Sequence, residues 1–181
     1  MKSYPGFIEG IFRADHLLEK LTPSEPLDWD LARKTREADD ATLLGDRTPV
    51  SPSHATLVRG GLLYALDELD RAHTVFQEDR SDLGSYWHGM MHRREGDFDN
   101  ARYWFRRAGS QPFFAALHGS ASEVSADMAK QPGWDPYLFT GQCEQARHGD
   151  TDLIPELVKL QRLEFEAIFD YFWQKAVRSA E

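Results

Sequence analysis

His88 and His92 stand four residues apart in a stretch that reads as helix from about Ser85 to Glu95. Side chains at that spacing share one face of a helix. Two imidazoles on a packed face need hydrogen-bond partners, or they leave buried groups that cost about 1–3 kcal/mol each. His73 joins them if the helix before it and the helix carrying them form an antiparallel hairpin turning between Ser81 and Asp82. Residue 73 then lies level with residue 90, midway between His88 and His92. Three imidazoles at one level are ligands for zinc or another divalent transition metal, with water in an open position. Glu95, Asp97 and Glu78 are the carboxylates that could serve as a fourth ligand or a general base. The competing reading makes all three histidines hydrogen-bonded structural groups and expects no cofactor. Arg106 and Arg102, which mirror His88 and His92 across Gly96-Asp97, count against a bound cation. The His-Glu-x-x-His signature of metalloproteases is absent, since Gly89 follows His88.

A second cluster is cationic. Arg93, Arg94, Arg102, Arg106 and Arg107 crowd one short stretch of a chain with 21 Lys+Arg against 30 Asp+Glu and net charge −9. Guanidinium groups suit bidentate contact with carboxylate or phosphate. Tyr86, Trp87, Tyr103 and Trp104 sit among them, available for stacking. The alternative is that these arginines pair internally with acids such as Asp67, Glu68 and Asp70 on the neighbouring helix. Other chemistry is thin. Neither a Gly-x-Ser-x-Gly elbow nor a Gly-rich phosphate loop occurs. Cys143 reads as a buried thiol. Tyr171 and Trp173 fall off the main apolar stripe of the last helix and could mark an interface, so a homo-oligomer stays open.

Composition sets the frame for these groups. The chain has 181 residues, 41% of them hydrophobic, which suits one globular domain with a substantial core. No stretch approaches the roughly 20 apolar residues of a membrane span, and Met1 to Gly6 carries no secretory signal. One cysteine excludes an internal disulfide framework. The cytoplasm is the expected compartment. The net charge of −9 argues against nucleic-acid binding by overall charge.

The elements that must position the histidines and arginines are helical. Phe7, Ile8, Ile11, Phe12, Leu17, Leu18 and Leu21 recur at helical spacing over residues 1–21, until Pro23 and Pro26 intervene. Further helices are expected over about 28–44, 54–78 with a break near Asp67, 85–95, 98–108, 136–148 and from 151 onward. The segment 111–130 is of doubtful continuity. On the last helix Ile154, Leu157, Gln161, Phe165, Ile168, Phe169, Phe172 and Ala176 share one face. No segment alternates with the period of a strand. The fold class is all-α.

Residues 60–76 align over 89–105 at a constant offset, pairing Gly60 with Gly89, Leu69 with Phe98, Asp70 with Asp99, Ala72 with Ala101 and Phe76 with Phe105. Small and aromatic residues in matched slots are what stacked helical hairpins require. The set Gly89, Gly96, Phe98, Ala101, Phe105 and Ala108 resembles the tetratricopeptide repeat. The earlier copy has Asp67 where the turn glycine belongs, and no third copy is clear. The segment Tyr86-Trp-His through Arg107 is also similar to one found in a family with no assigned activity.

The resemblance implies tetratricopeptide-like hairpins over about 54–109. Helices in 1–45 and 111–179 would cap them within a single domain, 1–181. It also implies a groove faced by Tyr86, Met90, Arg93 and Arg94. The lysine and asparagine set that clamps acidic C-termini is missing, with Met90 where asparagine is expected. The expected function is an interaction module in which Tyr86, Arg93, Arg94, Arg106 and Arg107 hold an anionic peptide or small acid. The alternatives are a small metal-dependent, hydrolase-like enzyme centred on His73, His88 and His92, with Glu95 and Asp97 as candidate catalytic groups, or a structural subunit of an assembly.

Overall fold

A computed structural model describes residues 4–50 and 52–178. Among these the chain forms eleven α-helices: α1 (Gly6–Phe12), α2 (Trp29–Glu37), α3 (Asp40–Leu44), α4 (Pro52–Ala65), α5 (Leu69–Phe76), α6 (Asp82–Glu95), α7 (Phe98–Ala108), α8 (Phe114–Ser122), α9 (Ala126–Ala129), α10 (Pro136–Arg147) and α11 (Ile154–Ala176). Two residues on each side, β1 (Thr48–Pro49) and β2 (Val177–Arg178), form a short antiparallel pair. The all-α class stands. Starts are set by side-chain caps: Asp28, Asp39, Ser81, Asp97, Ser125 and Asp135 each accept a backbone N–H of the first turn. Such a cap contributes about 1 kcal/mol.

Two helical hairpins, α4–α5 and α6–α7, hold the centre, and the 23-residue α11 packs across α4, α8 and α10. The repeat explains how each hairpin closes. Gly96, the C-cap of α6, takes φ +83°, and the residue aligned with it, Asp67, takes φ +63°. Asp is among the few side chains that visit this left-handed region, at a cost of about 1–2 kcal/mol. The aligned glycines have the same physical role. A Cβ on Gly60 would lie 2.9 Å from Phe76 Cε1, and one on Gly89 would lie 2.7 Å from Phe105 Cδ1. Each glycine lets its own hairpin's aromatic ring seat against the backbone. Gly89→Ala is therefore expected to destabilise the protein by about 1–3 kcal/mol through overpacking, read from the midpoint of urea unfolding.

Two sequence expectations change. The first helix ends at Phe12 rather than near Leu21. His16 and Leu18 take positive φ, and the carbonyls of Leu18 and Lys20 accept Gln161 Nε2 at 2.8 and 3.1 Å. The apolar periodicity of that segment reports burial, while side chains from elsewhere satisfy its backbone. Residues 28–44 split into α2 and α3, because Ala38 is extended and Asp39 opens a new cap. The doubted continuity of residues 111–130 is indeed broken, into α8 and α9 at the Ser125 cap.

Helix α6 is the architectural centre. Every residue from Gly84 to Arg94 is buried, including Tyr86, His88, His92, Arg93 and Arg94. A helix buried on all sides is normally apolar. This one carries polar groups on several faces, so each must find a partner inside the protein.

Candidate metal centre

Tyr86, Arg93 and Arg94 of α6 find partners on distant segments, whereas Ser85 Oγ and Trp87 Nε1 are buried without one among the described residues. The guanidinium of Arg93 is bidentate to Glu164 of α11, with Nη1 to Oε1 at 3.2 Å and Nη2 bonded to Oε2. Tyr86 Oη donates to Glu164 Oε1 at 2.7 Å and accepts Trp134 Nε1 at 2.7 Å. Arg93 also lies 4.1 Å from the centre of the Phe139 ring. Arg94 donates to the Asp67 carboxylate and to the carbonyls of Tyr64 at 2.7 Å and Lys20 at 3.0 Å. Tyr86, Met90, Arg93 and Arg94 are at most 1% exposed, so they line no surface groove. Of the five residues expected to hold an anionic ligand, only Arg106 and Arg107 reach solvent. The pairing of Arg94 with Asp67 is the internal ion pair that the acid-rich neighbouring helix offered.

The histidines behave differently. His73 on α5 and His88 and His92 on α6 place one ligand nitrogen each within 4.8 Å of the others. Their ring centres are 4.8 Å (His73–His88), 5.0 Å (His73–His92) and 4.7 Å (His88–His92) apart. His73 is nearly equidistant from the other two, in keeping with the hairpin register that sets it level with the residues midway between them. A tetrahedral ion with arms of 2.0–2.1 Å needs donor separations of about 3.3 Å, so modest ring rotations would close the set. His88 is held flat against Trp104, with ring centres 3.9 Å apart and planes at 15°. It is 3% exposed, and neither ring nitrogen has a hydrogen-bond partner among the described residues.

Burial favours the neutral form of two of these rings, His73 and His88. Burial, reinforced by the neighbouring His92 and His73, pushes His88 down to about 3. Burial likewise lowers His73, with Glu95 partly offsetting the effect. A neutral imidazole is the form that binds a metal. Glu95 spans the open side, with Oε2 at 2.9 Å from His92 Nδ1 and Oε1 at 3.8 Å from His73 Nδ1. The His73 and Glu95 side chains are 34% and 27% exposed, so the cluster meets solvent there and is closed at His88.

Asn100, which the sequence reading did not single out, lies with its amide 3.1 Å from His92 Nε2. Both ring nitrogens of His92 are thus engaged, Nδ1 by Glu95 and Nε2 by Asn100; a metal at Nδ1 requires the Asn100 amide oxygen to take Nε2–H and Glu95 to leave Nδ1. A carbonyl oxygen accepting from the ring nitrogen that does not face the ion is usual for a metal-bound histidine. Asn100→Leu is expected to weaken metal affinity about 10–100-fold with little change in the metal-free protein, as measured by competition titration against a chromophoric chelator.

The remaining candidates are placed elsewhere. Asp97 caps α7 by accepting Asn100 N at 3.2 Å, which occupies its carboxylate. Glu78 lines a separate depression with Ser53, Thr56 and Val75. Of the arginines thought to oppose a cation, Arg102 pairs with Glu144 of α10 and with Asp99, and Arg106 is exposed to solvent. Arg107 lies over Trp104 at 5.5 Å. Trp173 is 7% exposed and packs in the core. Cys143 is buried, and desolvation pushes its thiol up to about 12. Glu164 was missed, yet it falls between Gln161 and Ile168 on the buried stripe of α11, where a lone carboxylate signals an internal cation. No helix of the described residues is long and apolar enough to cross a membrane. No family model, curated protein or solved structure matches the chain.

Proposed function

We propose that the protein binds a divalent transition-metal ion through His73, His88 and His92 and uses it for metal-assisted hydrolysis. The observation that carries this reading is His88. Its two ring nitrogens are buried without partners at the closed end of a three-histidine cluster. Leaving them unsatisfied costs about 1–3 kcal/mol, whereas a metal bond to one nitrogen turns that cost into binding. A hydrogen-bonded structural role is supported for His92, which has Glu95 and Asn100 as partners. It has no support at His88.

A divalent ion held by three imidazoles supplies a Lewis acid whose bound water is acidic near neutral pH. Glu95 stands at the solvent side, where it can take that proton and return it to a leaving group. Imidazole donors suit zinc and its first-row neighbours better than magnesium or calcium.

The test is equilibrium titration of chelator-stripped protein with Zn²⁺ and with Co²⁺. One equivalent is expected to bind, with a d–d spectrum of four- or five-coordinate Co²⁺. A free ion concentration of 100 times Kd adds about 2.7 kcal/mol to stability. No saturable binding by wild type, or binding unchanged in His88→Ala/His92→Ala, would overturn the reading.

A further inference from the structure

Glu95 has a second neighbourhood. It closes one end of a cleft of about 470 Å³ between the segment Pro23–Pro26, the start of α2 and the turn from α4 into α5. The backbone fixes this wall: Leu27 N donates to the Leu66 carbonyl at 2.9 Å, which holds the proline-bounded segment over the α4–α5 turn.

The charge of the cleft is opposite to the anion-binding surface expected from the sequence. Glu25, Asp67, Glu68, Asp70 and Glu95 line it against two arginines, Arg36 and Arg71. Asp67 is neutralised by Arg94, and Glu68 pairs with Arg36. The start of α5 adds about half a positive charge. The walls remain net negative after these corrections. Among the described residues the second oxygen of each of these ion-paired carboxylates, Asp67 Oδ2 and Glu68 Oε2, is buried and accepts no hydrogen bond, on residues that are 3% and 7% exposed. Buried carboxylate oxygens call for N–H donors. The rim supplies an aromatic surface in Trp29, which is 62% exposed, with Pro23 and Pro26 beside it.

We infer that this cleft binds an organic cation, a primary ammonium or guanidinium group on a short chain, with N–H donors to Glu68 and Asp67 and its apolar stem against Trp29. A bare divalent ion would make no use of the aromatic rim, whereas an organic cation gains from it. Because Glu95 belongs to both the cleft and the histidine cluster, the site assigns the substrate class of the proposed hydrolase: molecules carrying a cationic amine on one side of the scissile group. That assignment rests on the metal reading; the binding of the cation does not.

The experiment is calorimetric titration of full-length protein with agmatine, which carries both cationic groups, and with butylurea as an uncharged analogue. Both are run on metal-free wild type and on His88→Leu. Agmatine is expected to bind both proteins alike and at least about tenfold more tightly than butylurea. That margin corresponds to about 1.4 kcal/mol. Glu68→Gln is expected to lose about tenfold in agmatine affinity, and Asp70→Asn, a milder change at a helix start, about threefold. Equal binding of the two ligands, absence of agmatine binding, or affinity unchanged in both variants would overturn the inference. Agmatine binding by a protein that takes up no metal would leave the cleft standing and remove only the hydrolase reading.

Discussion

His88→Leu is expected to stabilise the metal-free protein while abolishing its metal centre. The substitution removes two buried, unpartnered nitrogens, relieving about 1–3 kcal/mol. It forfeits the ring stacking on Trp104 at 3.9 Å, a contribution of about 0.5–1.5 kcal/mol. The net gain is on the order of 1 kcal/mol, or about 2–4 °C in Tm for a chain of this size. With metal present the order reverses, because wild type gains binding energy that the variant cannot, and the variant's affinity falls by at least about 100-fold. A structural histidine would lose stability under both conditions, so the sign in chelator decides.

The pH profile gives the same answer by another route. His88 titrates near 3 in the fold and near about 6.5 in the unfolded chain. Between those values the unfolded chain takes up a proton that the native protein refuses. This contribution is complete above about pH 6.5 and is lost as pH falls toward 3, at up to about 1.4 kcal/mol per pH unit. Asp170, raised to about 6 by burial, acts in the opposite sense between its unfolded value and 6. The wild-type curve alone is therefore mixed. The difference between wild type and His88→Leu in chelator isolates the imidazole and is expected to rise as pH falls.

Glu164→Ala is expected to be the most damaging single change in the core. It leaves the Arg93 guanidinium, 1% exposed, without its carboxylate and Tyr86 Oη without an acceptor. Breaking one side of a buried pair costs about 3–5 kcal/mol, because the remaining charge stays desolvated. Replacing both sides together, as Arg93→Met/Glu164→Leu, should recover most of that loss. About 1–3 kcal/mol should persist, since Tyr86 still lacks an acceptor. A urea-unfolding cycle of wild type, Arg93→Met, Glu164→Leu and the double variant, with Glu164→Ala measured alongside, checks this. Equal destabilisation by the single and double variants would mean that packing around Glu164, rather than its charge, holds α11 in place.

The hairpins and the histidine cluster were legible because local rules set them. A four-residue spacing fixes a helix face, and the turn between α5 and α6 fixes which residue of one stands opposite the other. The glycine–aromatic matches at Gly60–Phe76 and Gly89–Phe105 were legible for the same reason. What the sequence could not reveal was how deeply α6 is buried. Arg93 and Arg94 look like surface residues, and the partners that bring them inside, Glu164 and Asp67, depend on long-range packing. With those partners Arg93 and Arg94 lie inside the protein, and Arg106 and Arg107 are the expected ligand-holding residues that stay exposed. The path of residues 13–27 was equally hidden, since its carbonyls are satisfied by Arg94 and Gln161 rather than by local helix bonds.

The complete burial of α6 also governs how the protein opens. Backbone amides on a helix enclosed on every side exchange with solvent only through large-scale unfolding, whereas α5, with Asp70, Arg71 and Thr74 exposed, can fray separately. Two of the three imidazoles therefore sit on the slowest-exchanging element, and the third, His73, on one that opens readily. Deuterium uptake should be slowest across 84–94 and faster across 69–76, with metal slowing the second region and barely affecting the first. Loading and release of the ion would then run through the α5 side alone, at a rate set by local breathing rather than by the stability of the whole.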